Sequence, residues 1–311
     1  MNRPASGFVD LQINGLNGVD FNSDHVSDEA WQLALEALAA DSTAMFLPTL
    51  ITDSVERLCM KLRRLAVLCQ RTPIDGTSVH AVGIHLEGPF LSGEPGYIGA
   101  HPREHAQALE LDPLKRLFDA AHGMLRLVTL APERDPTGEG VAWLAKQGVL
   151  VAAGHCNPSI DQLKRSIDHG LTLVTHLGNA CPPTLPRHDN VLHRFLSLRQ
   201  ELCVTMIADG HHLPLWLLDS WVEWFGEDRV AIVSDAISAA GLPAGVYQLG
   251  DRKVAVGEDG VPRSEDRSHF VGSGATLGKM RGLVSRLGWS EARIERLFRK
   301  NALRWLGIPK D

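Results

Sequence analysis

The chain has 311 residues and a formal net charge of −6, with 44% hydrophobic and 22% charged residues. This composition is that of an ordinary globular protein with a large core, and it excludes the basic field that draws a protein to nucleic acid or to an anionic membrane. The chain has no apolar run of membrane-spanning length, and MNRPASGFVD contains no apolar signal core, so we expect a cytoplasmic protein with no nucleic-acid or membrane partner. Its five scattered cysteines suit neither a metal knuckle nor a disulfide framework, and we expect them to be reduced thiols.

Strand-like apolar runs alternate with helical runs from one end of the chain to the other. Segments such as DEAWQLALEALAA and VERLCMKLRRLAVLC place apolar residues at helical spacing. The strand candidates are nearly continuous apolar runs, which is typical of parallel strands covered on both faces. In chain order they are GFVDLQI near 7, AMFLPTL near 44, VHAVGIHL near 79, LRLVTLA near 125, VLVAAGH near 149, LTLVTHL near 171, LCVTMIA near 202 and VAIVSDA near 230.

Eight strand-then-helix units predict an α/β fold, a (β/α)8 TIM-type barrel. A doubly wound open sheet is the alternative, but no GxGxxG opens the first unit. From 245 to 274 the sequence becomes polar and glycine-rich, with short alternating pieces such as YQLGDRKVAVGEDG, which predicts a hairpin and loop inserted after the eighth strand. Two helices then close the chain. Since there is no repeat and no interdomain linker, we expect a single barrel domain over residues 1–311.

Four ionisable residues lie at the carboxyl ends of predicted strands. Glu87 follows the third strand and His155 the fifth, while His176 and Asp235 follow the sixth and the eighth. In a barrel these ends converge on one mouth, where active sites are found. A single histidine at a strand end is more often a hydrogen-bonded structural residue, but four buried ionisable groups need partners. The set therefore favours a shared site.

These four residues suggest metal-assisted chemistry. One Glu and two His (Glu87, His155 and His176) are adequate ligands for a divalent transition metal and leave positions open for water. The carboxylate of Asp235 suits another role, because a carboxylate beside a metal-activated water can accept its proton and pass it to a leaving amine. Capping of the following helix is the alternative for Asp235.

Several short motifs support a more specific interpretation, because their order along the chain is distinctive. They are HLEGPF, GAHP, APE, AGHCNPS, THLGNA, IADGHH, VSDA and GSG. Each motif is weak alone, but the ordered set resembles the N-acetylglucosamine-6-phosphate deacetylase family of the amidohydrolase superfamily, from GFVDLQINGLNGVDFN to NALRWLGI. The resemblance implies a barrel of the metal-dependent amidohydrolase kind. It also implies that Glu87, His155 and His176 bind metal and that Asp235 is the general acid/base.

Two departures from the family pattern shape this expectation. Many amidohydrolases carry His-x-His after the first strand, where this chain has Gln12-Ile13-Asn14. Gln and Asn are poor replacements for two imidazoles on a transition metal, so the sequence resembles the single-metal branch and we expect one divalent ion, zinc. Family members usually also have a small β-sandwich domain built from both termini, and this chain resembles the catalytic barrel without it.

The resemblance also implies a sugar-phosphate site. The family holds phosphate partly through main-chain groups of the segment matching Asn179 and Ala180. Arg187 matches a family arginine whose planar fork suits a phosphate, although a solvated loop charge is the alternative. His212 matches a substrate-contacting histidine that we expect to stabilise a developing oxyanion, and His211 is the weaker candidate. The remaining predicted contacts are Ala100, His101, Asp209, Gly210, Phe270, Val271, Gly272 and Ser273.

The activity that the resemblance implies is hydrolysis of the acetamide of N-acetylglucosamine 6-phosphate, which releases acetate and glucosamine 6-phosphate. The expected partner is thus a small amino-sugar phosphate, and a homodimer is left open. One alternative is an amidohydrolase that acts on a different N-acyl or cyclic amide substrate. Another is a non-catalytic sugar-phosphate-binding regulator, but a sensor need not keep a proton shuttle such as Asp235.

Overall fold

The computed structural model describes residues 7–71 and 79–309. Eight parallel strands pair in chain order, and a helix follows each strand, so the predicted (β/α)8 barrel is confirmed. The strands are β1 (Phe8–Ile13), β2 (Thr43–Leu50), β3 (Ile84–Glu87), β4 (Leu125–Leu130), β5 (Leu150–Ala153), β6 (Leu171–Val174), β7 (Cys203–Ile207) and β8 (Val230–Val233). The helices are α1 (Asp28–Ala40), α2 (Val55–Gln70), α3 (Leu111–Ala120), α4 (Glu139–Lys146), α5 (Ile160–Asp168), α6 (Val191–Ser197), α7 (Leu215–Phe225) and α8 (Leu277–Arg286).

Local sequence signals place these elements. All eight residues of β2 are buried, as expected for a barrel strand covered on both faces. Side-chain caps begin several helices: the hydroxyl of Ser27 accepts from the main chain of α1, and Ser159 forms a capping box with Gln162 at α5. The core runs between the barrel and the helices. No helix in the described ranges combines the length and the apolar character needed to cross a bilayer.

The remaining elements lie outside the eight strand-and-helix units. After β8 the chain forms a small antiparallel sheet of β9 (Gly245–Leu249), β10 (Arg252–Val256) and β11 (Pro262–Arg263). The amide of Gly250 donates to the Asp20 carboxylate at 2.6 Å, which ties the β9–β10 turn to the barrel. The C-terminal helix comprises Glu291–Glu295, a π-helical turn at Arg296–Lys300, and Asn301–Trp305. Shorter pieces are the strands Gly15–Leu16, Val19–Asp20 and His80–Ala81 and the 3-10 turns Arg103–His105, Pro132–Arg134 and Glu227–Arg229.

The barrel closes at a seam between β1 and the end of β8. The amide of Asp235 donates to the carbonyl of Gln12 at 2.9 Å, and the amide of Asn14 donates to the carbonyl of Ala236 at 2.7 Å. The described residues form no regular ladder between the two strands. The seam is therefore a short set of hydrogen bonds at the mouth of the barrel.

The carboxylate of Asp10 lies inside this seam. Its Oδ1 accepts the amide of Gln12 at 3.2 Å and the amide of Ser234 at 3.1 Å, so it links the two strands. Asp10 is buried, and burial raises the pKa of its carboxyl to about 7. The seam thus contains a carboxyl group that stays protonated in the folded protein at pH values where it is ionised in the unfolded chain.

The free energy of unfolding of the wild type should fall between pH 5 and pH 8, and we expect Asp10→Asn to make this fall smaller. The folded pKa is about 7 and the ordinary value 3.8, so folding takes up a proton in this window and stability falls as the pH rises. Over this pH range the free energy of unfolding of the wild type should fall by roughly 2–3 kcal/mol more than that of the variant. Urea unfolding of both proteins at the two pH values measures this difference. Equal losses would show that Asp10 does not titrate in this range.

Candidate active site

Glu87, His155 and His176 meet at the mouth of the barrel. Glu87 is the last residue of β3, and the two histidines each stand two residues beyond the end of their strand. Nε2 of His176 lies 2.8 Å from Oε1 of Glu87, and Nε2 of His155 lies 3.3 Å from the same oxygen. Their ligand atoms all lie within 4.8 Å of one another. Within the described residues this is the one group of three or more such side chains with ligand atoms so close.

The hydrogen bonds of His155 and His176 suit metal binding. Nδ1 of His155 donates to the carbonyl of Tyr97 at 2.9 Å, because a carbonyl can only accept. Neutral His155 therefore presents the lone pair of Nε2 towards Glu87. Nδ1 of His176 is buried and has no hydrogen-bond partner among the described residues. An imidazole lone pair facing a carboxylate oxygen is an arrangement that a cation would complete, so the donor set fits a divalent transition metal.

The main chain turns sharply at these strand ends. His155, His176 and Asp235 have φ values of 49°, 33° and 48°, in the left-handed region that residues other than glycine rarely occupy. Such conformations cost free energy and cluster at functional sites. Here the turn comes directly after the strand, and all three side chains line the mouth of the barrel.

Asp235 lies buried beside the three candidate ligands. Its Oδ1 accepts Nδ2 of Asn14 at 2.8 Å and Nε2 of Gln12 at 3.2 Å. Burial raises the pKa of this carboxyl to about 6. The helix-cap alternative is wrong, because α8 starts more than forty residues later and is capped by Thr276. Sequence reasoning treated Gln12 and Asn14 only as missing ligands and did not foresee these contacts.

His101 packs edge to face against His155 but carries its ring proton on the other nitrogen. The ring centroids are 4.2 Å apart. Nδ1 of His101 accepts the amide of Thr52 at 3.2 Å, and since that amide can only donate, the ring proton is on Nε2. Nε2 lies 3.7 Å from Glu87. Burial and the neighbouring His155 hold the pKa of His101 well below its ordinary value. His101 therefore offers a neutral N–H donor to the cavity.

His212 is held from behind by Asp209. Nδ1 of His212 donates to Oδ2 of Asp209 at 2.7 Å, and the hydroxyl of Ser273 donates to the same oxygen at 3.0 Å. Burial would raise the pKa of Asp209, but hydrogen bonds from His212 and the charge of that ring outweigh burial and hold it below its ordinary value. Nε2 of His212 is buried without a partner in the described structure, and the ring of His212 packs edge to face against Phe270, with the ring centroids 5.2 Å apart. Asp209 thus orients His212.

An open cavity joins the four strand-end residues to part of the predicted substrate site. The predicted residues that line it are Glu87, Ala100, His101, His155, His176, Asn179, Ala180, Asp235, Phe270 and Gly272. The other predicted contacts do not line it: Arg187, Asp209, Gly210, His211, His212, Val271 and Ser273. Arg187 is exposed on the loop after β6, and His211 lines a neighbouring cavity next to α8.

No protein-family model matches the chain. The similar proteins found by comparison are repeatedly deacetylases of amino-sugar phosphates. The chain is 33% identical to N-acetylglucosamine-6-phosphate deacetylase of Bos taurus over 263 residues, which cover 81% of this chain. It is 29% identical to N-acetylgalactosamine-6-phosphate deacetylase of Escherichia coli O157:H7 over 301 residues, which cover 97% of this chain and 77% of the relative. The chain spans only 62% of the length of the bovine relative.

A solved structure is similar over nearly the whole chain. A variant of N-acetyl-D-glucosamine-6-phosphate deacetylase from Mycobacterium smegmatis, in complex with N-acetyl-D-glucosamine-6-phosphate, matches with a TM-score of 0.87 and 31% identity. The match covers 97% of this chain and 77% of that chain.

Proposed function

We propose that this chain, which belongs to the N-acetylglucosamine-6-phosphate deacetylase family of the amidohydrolase superfamily, hydrolyses the acetamide of N-acetylglucosamine 6-phosphate to glucosamine 6-phosphate and acetate. One observation carries the proposal: Glu87, His155 and His176 converge beside a buried Asp235 in a single cavity. This combines a metal-binding donor set with a carboxyl group suited to proton transfer.

Glu87, His155 and His176 would hold one divalent ion, and we propose zinc because its sites combine imidazole and carboxylate ligands and leave a position open. When bound, the ion would lower the pKa of a water and polarise the acetamide carbonyl. The hydrogen bond from His155 to Tyr97 fixes the ring so that Nε2 stays available as a ligand. His101 keeps its proton on Nε2 and serves as a donor to the sugar.

Asp235 carries out the proton transfers in this mechanism. Its carboxylate takes the proton from the attacking water and returns it to the amine nitrogen as the C–N bond breaks. One carboxyl group can act as base and then as acid, because the proton that it takes from the water is the proton that it returns to the amine. His212 would stabilise the developing oxyanion from Nε2, and Asp209 orients its ring through Nδ1 at 2.7 Å.

Substrate choice is the point on which the family members differ, since the bovine and Escherichia coli O157:H7 relatives are named for different epimers. Acetate release from N-acetylglucosamine and N-acetylgalactosamine, each with and without 6-phosphate, tests the proposal. We expect turnover of N-acetylglucosamine 6-phosphate and poor turnover of both free sugars. Turnover only of other N-acyl or cyclic amides would favour a different amidohydrolase. Sugar-phosphate binding without acetate release would favour a regulator.

Arg187→Ala tests recognition of the phosphate. Arg187 follows the cavity-lining Asn179 and Ala180 in the chain, and its side chain is exposed to solvent. Because no described carboxylate forms an ion pair with Arg187, its guanidinium is available to an anion. Loss of a charge-assisted contact should lower kcat/KM for the phosphorylated sugar by about one to two powers of ten. Turnover of the unphosphorylated sugar should change little. Equal losses on both sugars would mean that Arg187 has a structural role.

We propose a cytoplasmic protein, which the five unpaired cysteines support. The homodimer is a prediction, and light scattering during size-exclusion chromatography tests it by measuring the molar mass of the protein in solution.

A further inference from the structure

We infer that Gln12 and Asn14 form an amide clamp that positions Asp235, so that Oδ1 is held and Oδ2 is the oxygen that exchanges the proton. Both side-chain amides donate to Oδ1, at 3.2 Å and 2.8 Å, and no described residue donates to Oδ2. The inference rests on the proposed function, in which Asp235 moves the proton. It gives a role to the two residues that stand where many amidohydrolases carry His-x-His.

Chemistry fixes the orientation of the Gln12 amide. Its Nε2 lies 3.2 Å from Oε2 of Glu87 and 3.2 Å from Oδ1 of Asp235. Ionised carboxylates can only accept hydrogen bonds, so the NH2 group must face them and the carbonyl oxygen must face away. One amide therefore bridges the candidate ligand Glu87 and the base Asp235, and fixes the distance between them without adding a positive charge.

This arrangement leaves other polar atoms without partners. Oε1 of Gln12 and Oδ1 of Asn14 are buried and receive no hydrogen bond from any described residue. A buried acceptor without a donor is destabilising, and such groups in native proteins are uncommon. The two amides thus satisfy Asp235 and Glu87 at the expense of their own carbonyl oxygens, which is expected of residues that serve the site and not the fold.

The main chain reinforces the clamp. The amide of Asp235 donates to the carbonyl of Gln12, and the amide of Asn14 donates to the carbonyl of Ala236. Each clamp residue is therefore bonded to the Asp235 turn through its backbone as well as through its side chain. The turn at Asp235, with its φ of 48°, is held from two directions.

Asn14→Leu tests the clamp, because leucine has a similar volume and no donor. We expect kcat to fall by about tenfold to a hundredfold, since small displacements of a catalytic group have effects of this order. The KM, the metal content and the calorimetric affinity for glucosamine 6-phosphate should stay within about twofold of wild type. Asn14→Ala also removes the donor and adds no charge, so it serves if the leucine variant does not fold. Asn301→Leu is the matched control. It removes a buried amide that donates at 2.6 Å to the carbonyls of Glu227 and Val230, and it should lower Tm without lowering kcat.

A double-variant cycle separates positioning from a structural role. If Asn14 acts through Asp235, removing the donor in an Asp235→Asn background should change kcat by less than about twofold, because the base is already lost. An equal fold-loss in both backgrounds, or a wild-type kcat in Asn14→Leu, would overturn the clamp. A wild type that releases no acetate from any sugar of the panel would overturn the proposed function and the clamp together. If the wild type is active, the variants test the clamp alone.

Discussion

Asp235→Asn should lower kcat by at least about 100-fold, since general-base catalysis contributes about 10² to 10⁴ in rate. The substitution keeps the shape of the side chain and removes its ability to take a proton. Proton transfer matters in the transition state and much less in the bound ground state. Metal content and affinity for the sugar phosphate should therefore survive. Steady-state kinetics, elemental analysis and calorimetry on one preparation measure all three quantities.

The alternative outcomes of this experiment point to different errors. Near-normal turnover would show that Asp235 is not the base. A protein that no longer folds would show that Asp235 mainly supports the barrel seam, where its carboxylate accepts the side-chain amides of Gln12 and Asn14. A circular dichroism spectrum and a melting curve distinguish an inactive folded variant from a misfolded one.

Glu87→Gln should lose metal and activity together. A neutral amide is a much weaker ligand than a carboxylate for a transition metal, and both histidines face Glu87 at 2.8 Å and 3.3 Å. We expect less than about 1% of wild-type kcat/KM, in the range that loss of a whole catalytic element produces. Elemental analysis of the metal-saturated wild type should give one tightly bound divalent ion per chain.

A matched control is available at a nearby carboxyl group. Glu133 is partly buried and accepts the amide of Asn157 at 2.6 Å, but it does not line the cavity. Glu133→Gln should keep the metal. Retention of metal by Glu87→Gln, or two stoichiometric ions in the wild type with Gln12 or Asn14 as ligands, would contradict the single-metal proposal.

The features that the sequence predicted are those encoded within single segments. Each barrel strand is a local apolar run, so its end can be located from the sequence, and Glu87, His155, His176 and Asp235 stand at such ends. The carboxyl ends of parallel barrel strands converge, which is why local patterns were enough to place these four residues in one site.

The contacts that the sequence did not predict join residues far apart in the chain. Gln12 and Asp235 are 223 positions apart, and Asp209 and Ser273 are 64 apart. The tautomers of His101 and His155 depend on single main-chain groups of Thr52 and Tyr97, which no spacing in the sequence indicates. Such partners follow from the closed barrel and not from any local pattern.

The cavity stays assembled only while the seam between β1 and β8 is closed, and this seam can open without unfolding of the whole barrel. Proteins open in sub-global units whose free energies can lie well below that of complete unfolding. Parting the few hydrogen bonds between Gln12, Asn14 and the Asp235 turn would separate Asp235 from its neighbours while the other seven strand pairings remained intact. The amide protons of Asn14 and Asp235 would then exchange with solvent by the same opening motion, and their exchange rate would report how often the site is dismantled.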